Sequence, residues 1–258
     1  MRNEKLLAAI CSLFVSTLAY GGGEGHGGHG GVHWGYSGEQ GPEHWGELAP
    51  EFATCGTGKK QAPINITGAV KKADLAPIEF HYATDVVEVL NNGHTVQANM
   101  QAGSFIVVDG TQFQLKQFHF HDPSENTVDG HHFPMEMHLV HADKDGHLAV
   151  VGVMIDKGTE NGSLAQLWRH MPHQAGEHDT NMDAKVNPSS LLPSSQHYYR
   201  FDGSLTTPPC TEGVRWLVLK DAIQASEAQI KGFQEAMHEE DDARPVQPLG
   251  DRVIYSSN

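Results

Sequence analysis

Positive charge is scarce in this chain. Lys and Arg number 17 against 32 Asp and Glu, a formal net charge of −15 at pH 7 with histidines neutral. Such a surface does not hold nucleic acid or an anionic membrane by charge. Long apolar runs are scarce too. Residues 6–19 form one, shorter than the ~20 residues a helix needs to span hydrocarbon. It follows the basic Arg2 and Lys5 and carries small residues at Thr17 and Ala19. That pattern predicts a secretory signal peptide over residues 1–19, cut after Ala19, and an exported chain, periplasmic or secreted. No other stretch is long and apolar enough to predict a membrane span in the mature chain. Cysteine is limited to three residues. Cys11 leaves with the leader, so Cys55 and Cys210 remain. In an exported chain such a pair is expected to form a disulfide, the alternative being two free buried thiols. No Pro/Ser-rich linker and no internal repeat divides the body, which predicts one domain.

Glycine and histidine are abundant, at 28 and 18 residues. Residues 20–33 read YGGGEGHGGHGGVH. Glycine this dense resists ordering, so a flexible tail is expected, with a weak adventitious site for zinc, copper or nickel as the other reading. From Pro63 onward the texture is strand-like: Val86–Leu90, Ser104–Val108, Phe113–His121, Met135–His141, His147–Ile155 and Val214–Leu219. These runs are short and rich in Val, Ile and Phe. Between them lie Asn92-Gly93, Asp109-Gly110, Asp129-Gly130 and Asp145-Gly146, dipeptides that tolerate positive φ in hairpins. Helices are expected at Ser163–His170 and Ala225–His238. The predicted fold is mainly β with a few short helices. A single domain, residues 34–258, surrounds a large twisted, mostly antiparallel central sheet.

In Phe118-His119-Phe120-His121 the alternation is strict. Side chains at i and i+2 of a strand share a face, so His119 and His121 present two imidazoles together while the phenylalanines point the other way. Met135-Glu136-Met137-His138-Leu139-Val140-His141 repeats the device, with Glu136 and His138 on one face. If the two strands are neighbours, His138 supplies a third metal ligand, and Glu136 can accept the other ring N–H of a ligand histidine. Alone, an HxH pair is more often two surface histidines than two ligands.

The flanking residues carry more. Gln117 to His121, Ser124-Glu125-Asn126-Thr127-Val128 and Glu136 to His141 resemble the signature of the α-type carbonic anhydrase family. So do Trp34-Gly35-Tyr36, Gly41-Pro42-Glu43-His44-Trp45, Asn91-Asn92-Gly93-His94, Gly203 to Cys210 and Arg244 to Leu249. The resemblance runs from Trp34 to Leu249 in family order, and it is closest to exported bacterial members.

This resemblance implies zinc (Zn2+) held by His119, His121 and His138. It implies reversible hydration of carbon dioxide to bicarbonate and a proton by attack of a zinc-bound hydroxide. Thr206 looks like the hydroxyl that accepts from that hydroxide and donates to Glu125. Val140, Val150, Leu205, Thr207 and Trp216 look like the lining of the substrate pocket. Gln117 and Glu136 look like partners of the ligand histidines. His94 looks like a proton shuttle with a near-neutral pKa, and Tyr36 like an organiser of the intervening water. Cys55 and Cys210 match the disulfide of exported members. Anion and sulfonamide-type inhibitors, a side activity on activated esters and a homodimer are also in keeping with the family. Asn126 departs from the pattern, many members having histidine there, as does the Gly/His-rich tail. Two other classes compete. A binding module on the same fold is disfavoured because all three ligand positions are kept. A metal-handling protein would show several sites of similar affinity.

Overall fold

The computed structural model describes residues 32–257, except 69, 72–73, 184 and 239–240. The expected signal peptide, and the tail as far as residue 31, lie outside the described residues. The strands are β1 (Asn65–Ile66), β2 (Val70–Lys71), β3 (Glu79–His81), β4 (Val86–Asn91), β5 (Val96–Met100), β6 (Phe105–Val108), β7 (Thr111–His121) and β8 (Thr127–Val128). They continue as β9 (Met135–Ala142), β10 (Leu148–Lys157), β11 (His178–Asp179), β12 (Tyr198–Ser204), β13 (Glu212–Leu219), β14 (Ile223–Ala225) and β15 (Tyr255–Ser256). Among the described residues four short α-helices accompany them: α1 (Trp45–Leu48), α2 (Thr54–Thr57), α3 (Gly162–Trp168) and α4 (Glu227–Ala236). None of the described helices is long and apolar enough to cross a membrane.

One 13-stranded sheet runs β11-β4-β5-β7-β9-β10-β13-β12-β15-β2, with β3, β6 and β14 attached beside this path. Most pairings are antiparallel, as expected. The sheet is nonetheless mixed, because β10 pairs both β13 and β14 in parallel and β15 pairs β2 in parallel. β6 and β7 join through Asp109 (φ 49°) and Gly110 (φ 75°), two left-handed residues in the arrangement of a tight hairpin turn.

Burial divides the central strands by face. Phe113, Leu115, Phe118 and Phe120 of β7 enter the larger core with Met135, Met137 and Leu139 of β9 and Val151, Val153 and Ile155 of β10. Each such side chain contributes roughly 1.5–3 kcal/mol on burial. Leu115 and Phe118 are three apart, yet both face this core. A bulge between Leu115 and Gln117 absorbs Lys116 and restores the phase. A smaller cluster, including Val150, Met154, Val214, Trp216 and Val218, occupies the opposite face.

Helices α3 and α4 cover the larger core through Leu164, Leu167, Ile230, Phe233 and Ala236. Both are shorter than predicted. Ala225 pairs with Lys157 as the end of β14, so Ser226 caps α4, in a reciprocal box with Gln229. Asn161 caps α3 by accepting from Ser163 and Leu164 N–H groups. The Cys55–Cys210 disulfide is formed and packs with Trp45.

His170, just past α3, is buried between two carboxylates. Its Nδ1 lies 2.9 Å from Asp179 Oδ2 and its Nε2 lies 2.7 Å from Asp183 Oδ1. Only the protonated ring donates to both, and the Asp179 bond, foremost, holds its pKa above the ordinary 6.5. A raised folded-state pKa stabilises the fold fully below the unfolded value, and that stability is lost as pH rises through the folded one. His170→Gln should therefore lower Tm more at pH 6 than at pH 9. Equal losses at the two pH values would contradict the charged bridge.

Candidate metal centre

β7 and β9 are adjacent and antiparallel, with His119 opposite His138 and His121 opposite Glu136. The register brings the three imidazoles to the face away from the larger core. One ring nitrogen from each lies within 4.8 Å of those of the other two. Their ring centroids are 4.7 to 5.4 Å apart.

Each ring is held from behind by an acceptor. Gln117 Oε1 is 2.8 Å from His119 Nδ1, and the Asp242 carbonyl oxygen is 2.8 Å from His121 Nδ1. Glu136 Oε1 is 3.1 Å from His138 Nε2, an ion-pair distance without the alignment of a hydrogen bond. An acceptor fixes the proton on the nitrogen it faces, so the lone pair sits on the other. The donor set is then Nε2 of His119, Nε2 of His121 and Nδ1 of His138. His121 Nε2 is buried without a hydrogen-bond partner. An orphaned buried nitrogen costs about 1–3 kcal/mol, a cost that a bound cation removes. Three imidazoles are the donor set of a catalytic zinc, which keeps its fourth position for water or substrate.

Electrostatics divides the rings. Burial, and then His121 and His138, hold His119 well below the ordinary pKa, which keeps it a neutral ligand. For His121, burial lowers the pKa, but the Glu125 and Asp242 carboxylates outweigh it and leave the pKa raised. Burial lifts Asp242 to about 8.

Glu125 is fully buried. Its Oε1 accepts from the Arg244 N–H at 2.9 Å, and its Oε2 has no hydrogen-bond partner. The expected bond from Thr206 to Glu125 is not made. That second oxygen instead turns toward the histidines, 3.4 Å from His121 Nε2 and 3.8 Å from His138 Nδ1. Thr206 is itself buried, in the turn between β12 and β13.

Three of the predicted pocket positions lie on this face. Val140, Val150 and Trp216 stand in register across β9, β10 and β13. Gln117 continues that row on β7, opposite Val140. The Trp216 ring meets His138 edge-on at 4.8 Å. Val150 and Trp216 are buried, and Val140 and Leu205 pack against them. Thr207 is half-buried and accepts the Cys210 N–H on its carbonyl. Tyr36 lies edge-on to Trp34 and Trp45, its hydroxyl buried without a hydrogen-bond partner. Burial, with Asp242 and Glu125 adding, pushes its pKa well above 10.0.

His94 differs from expectation. Its ring stacks on Trp34, with centroids 3.7 Å apart and planes 7° apart. Burial, and then His33, lower its pKa to about 4, not near neutrality. Two contributors carried no role in the sequence reading. Asp242 supplies the carbonyl for His121. Arg244 sits between Glu125 and the disulfide, its guanidinium donating to Gln61 Oε1 and to the Ala62 and Cys55 carbonyls. An arginine directly before a proline, in a motif with no other charge, was the available signal for it.

The family model described as eukaryotic-type carbonic anhydrase matches residues 40–258. A carbonic anhydrase of Klebsiella pneumoniae is 50% identical over 224 residues, covering 86% of this chain and 90% of its own length. One of Neisseria gonorrhoeae is 47% identical over 254 residues, covering 98% and 96%. The solved structure of the α-carbonic anhydrase from Thermovibrio ammonificans with the inhibitor sulfanilamide matches with a TM-score of 0.85 and 49% identity. It covers 88% of this chain and 100% of that one.

If the Trp34 stack is what depresses His94, Trp34→Ala should raise the His94 pKa from about 4 toward the ordinary 6.5. Imidazole proton NMR titration of both forms reads this directly. A His94 that already titrates near 6.5 in the unaltered protein would contradict the depression.

Proposed function

The chain belongs to the eukaryotic-type, or α, carbonic anhydrase family, and from that premise we propose that His119, His121 and His138 hold the zinc with which it reversibly hydrates carbon dioxide to bicarbonate and a proton. The observation that carries the reading is the set of three imidazoles, each backed by an acceptor on one nitrogen and turned inward with the other. Zinc bound there supplies Lewis acidity, which in carbonic anhydrase, the reference case, brings the pKa of a coordinated water to about 7.

The chain's own residues do the rest. Gln117, the Asp242 carbonyl and Glu136 aim one nitrogen of each ring inward, so no ring has to turn when a metal arrives. Val140, Val150, Leu205 and Trp216 offer carbon dioxide an apolar wall beside His138. Thr206 and Thr207 provide hydroxyls at the edge of that wall, and Glu125 a buried carboxylate steadied by the Arg244 N–H. His94 carries the released proton toward bulk buffer. On Trp34 its ring is held neutral, so it binds a proton near neutral pH only when it leaves the stack. Tyr36 steadies water between the site and that ring.

Sulfonamides are the expected inhibitors: the Thermovibrio relative was solved with sulfanilamide and a Chlamydomonas reinhardtii relative with acetazolamide. Export to an oxidising compartment agrees with the Cys55–Cys210 disulfide. Activated esters are a secondary substrate class for the same nucleophile.

Stopped-flow hydration of carbon dioxide by the zinc-loaded protein tests this. His119→Ala should fall to the buffer background. His94→Ala should lose about tenfold or more in kcat with kcat/KM nearly unchanged, and imidazole buffer should restore part of it. Absence of activity in the zinc-loaded parent chain would overturn the reading. A His94→Ala form indifferent to buffer would remove the shuttle role alone.

A further inference from the structure

We propose that Gly152 and Asn126 together form the seat that aims the Glu136 carboxylate at His138, and that this seat governs how long the site retains zinc. The inference rests on the zinc reading above.

Glu136 and Asn126 are both fully buried. Asn126 grips both carboxylate oxygens: its backbone N–H donates to Oε2 at 2.8 Å and its side-chain amide to Oε1 at 2.9 Å. Oε1 is also the atom 3.1 Å from His138 Nε2. Asn126 is itself immobilised. Its Oδ1 accepts the Ile64 N–H at 3.0 Å and its carbonyl accepts the Ser124 hydroxyl at 2.8 Å. The amide orientation follows, because the Ile64 N–H requires an oxygen on that side and leaves the NH2 facing Glu136. A neutral amide thus stands here as a double donor.

Gly152 closes the seat from the neighbouring strand. It lies on β10, in register with His138 on β9 and Val218 on β13. A Cβ at this position would sit 2.9 Å from Glu136 Oε1 and 3.2 Å from Val218 Cγ2. Its backbone is ordinary strand, since its φ is not among the positive values. Glycine is therefore needed here for space and not for conformation. Glycine weakens a central strand and marks a close approach. Here the approaching group is the carboxylate that orients a ligand histidine. Because β10 is paired on both sides, it cannot back away from an added methyl group, so the carboxylate must move. Such partners of ligand histidines typically change metal affinity 10–100-fold when altered.

The test is the rate of zinc release to a chromophoric chelator from the full zinc-loaded protein. It compares the parent chain, Gly152→Ala, Glu136→Gln and the double variant. Gly152→Ala and Glu136→Gln should each speed release about 10–100-fold. The double variant should be no faster than the faster single one, because both remove the same contact. Asn126→Ala, which adds no bulk, should also speed release, by a smaller factor, and carries the test if Gly152→Ala does not fold. Release from Gly152→Ala within about twofold of the parent, or effects that multiply in the double variant, would overturn the seat. For an unfolded Gly152→Ala, unchanged release from Asn126→Ala would do the same. A parent chain that binds no zinc would instead overturn the zinc reading itself.

Discussion

The pairing of β7 with β9 is the constraint on which the rest of the molecule depends. Strand geometry turns alternate residues to one face, and the antiparallel register sets His119 across from His138. A slip of one residue in either strand would send that strand's ligands into the phenylalanine- and methionine-lined core. The apolar residues on the reverse of the same strands therefore hold the site in register as they stabilise the fold. The bulge at Lys116 serves this too, since without it Leu115 and Phe118 could not share a face.

Around this pairing, polar groups are spent on orientation. Three different acceptors, an amide oxygen, a backbone carbonyl and a carboxylate, hold the three rings. Their variety gives the site its asymmetry, with two rings turned one way and the third the other. Glu125 approaches from a separate segment and is held by Arg244, whose guanidinium ties the Cys55 carbonyl and Gln61 to the same point. Gln61 in turn donates to the Cys210 carbonyl at 3.0 Å. The disulfide, the buried arginine and the metal face thus form one connected arrangement. A cut at any point in it propagates toward Glu125.

Much of this was legible in the sequence, and the boundary is a physical one. Period-2 alternation revealed the shared face of His119 and His121, and the dipeptide Asp109-Gly110 revealed the hairpin that precedes them. Strand pairing depends on long-range contacts, so His138 as a neighbour needed the family resemblance. The parallel pairings of β10 with β13 and β14 left no local signature either. The helix ends moved because capping by Asn161 and Ser226 overrode apolar periodicity. The Thr206 to Glu125 bond is not made, and the free carboxylate oxygen lies instead beside ligand nitrogens that are close only in the folded chain. The depressed pKa of His94 comes from burial and from His33, and its ring lies flat on Trp34, sixty positions away in the chain. Asn126 stood out as a departure from the family, but its two bonds to Glu136 could not be read from its neighbours in the chain.

The central claim is that three acceptors preset the tautomers of the metal ligands. Nitrogen-15 NMR of the imidazole groups in the zinc-free protein tests it most directly. The account predicts that His119 carries its proton on Nδ1, facing Gln117, and that His138 carries its proton on Nε2, facing Glu136. His119 protonated on Nε2, or His138 on Nδ1 alone, would place the lone pair away from the site and contradict it.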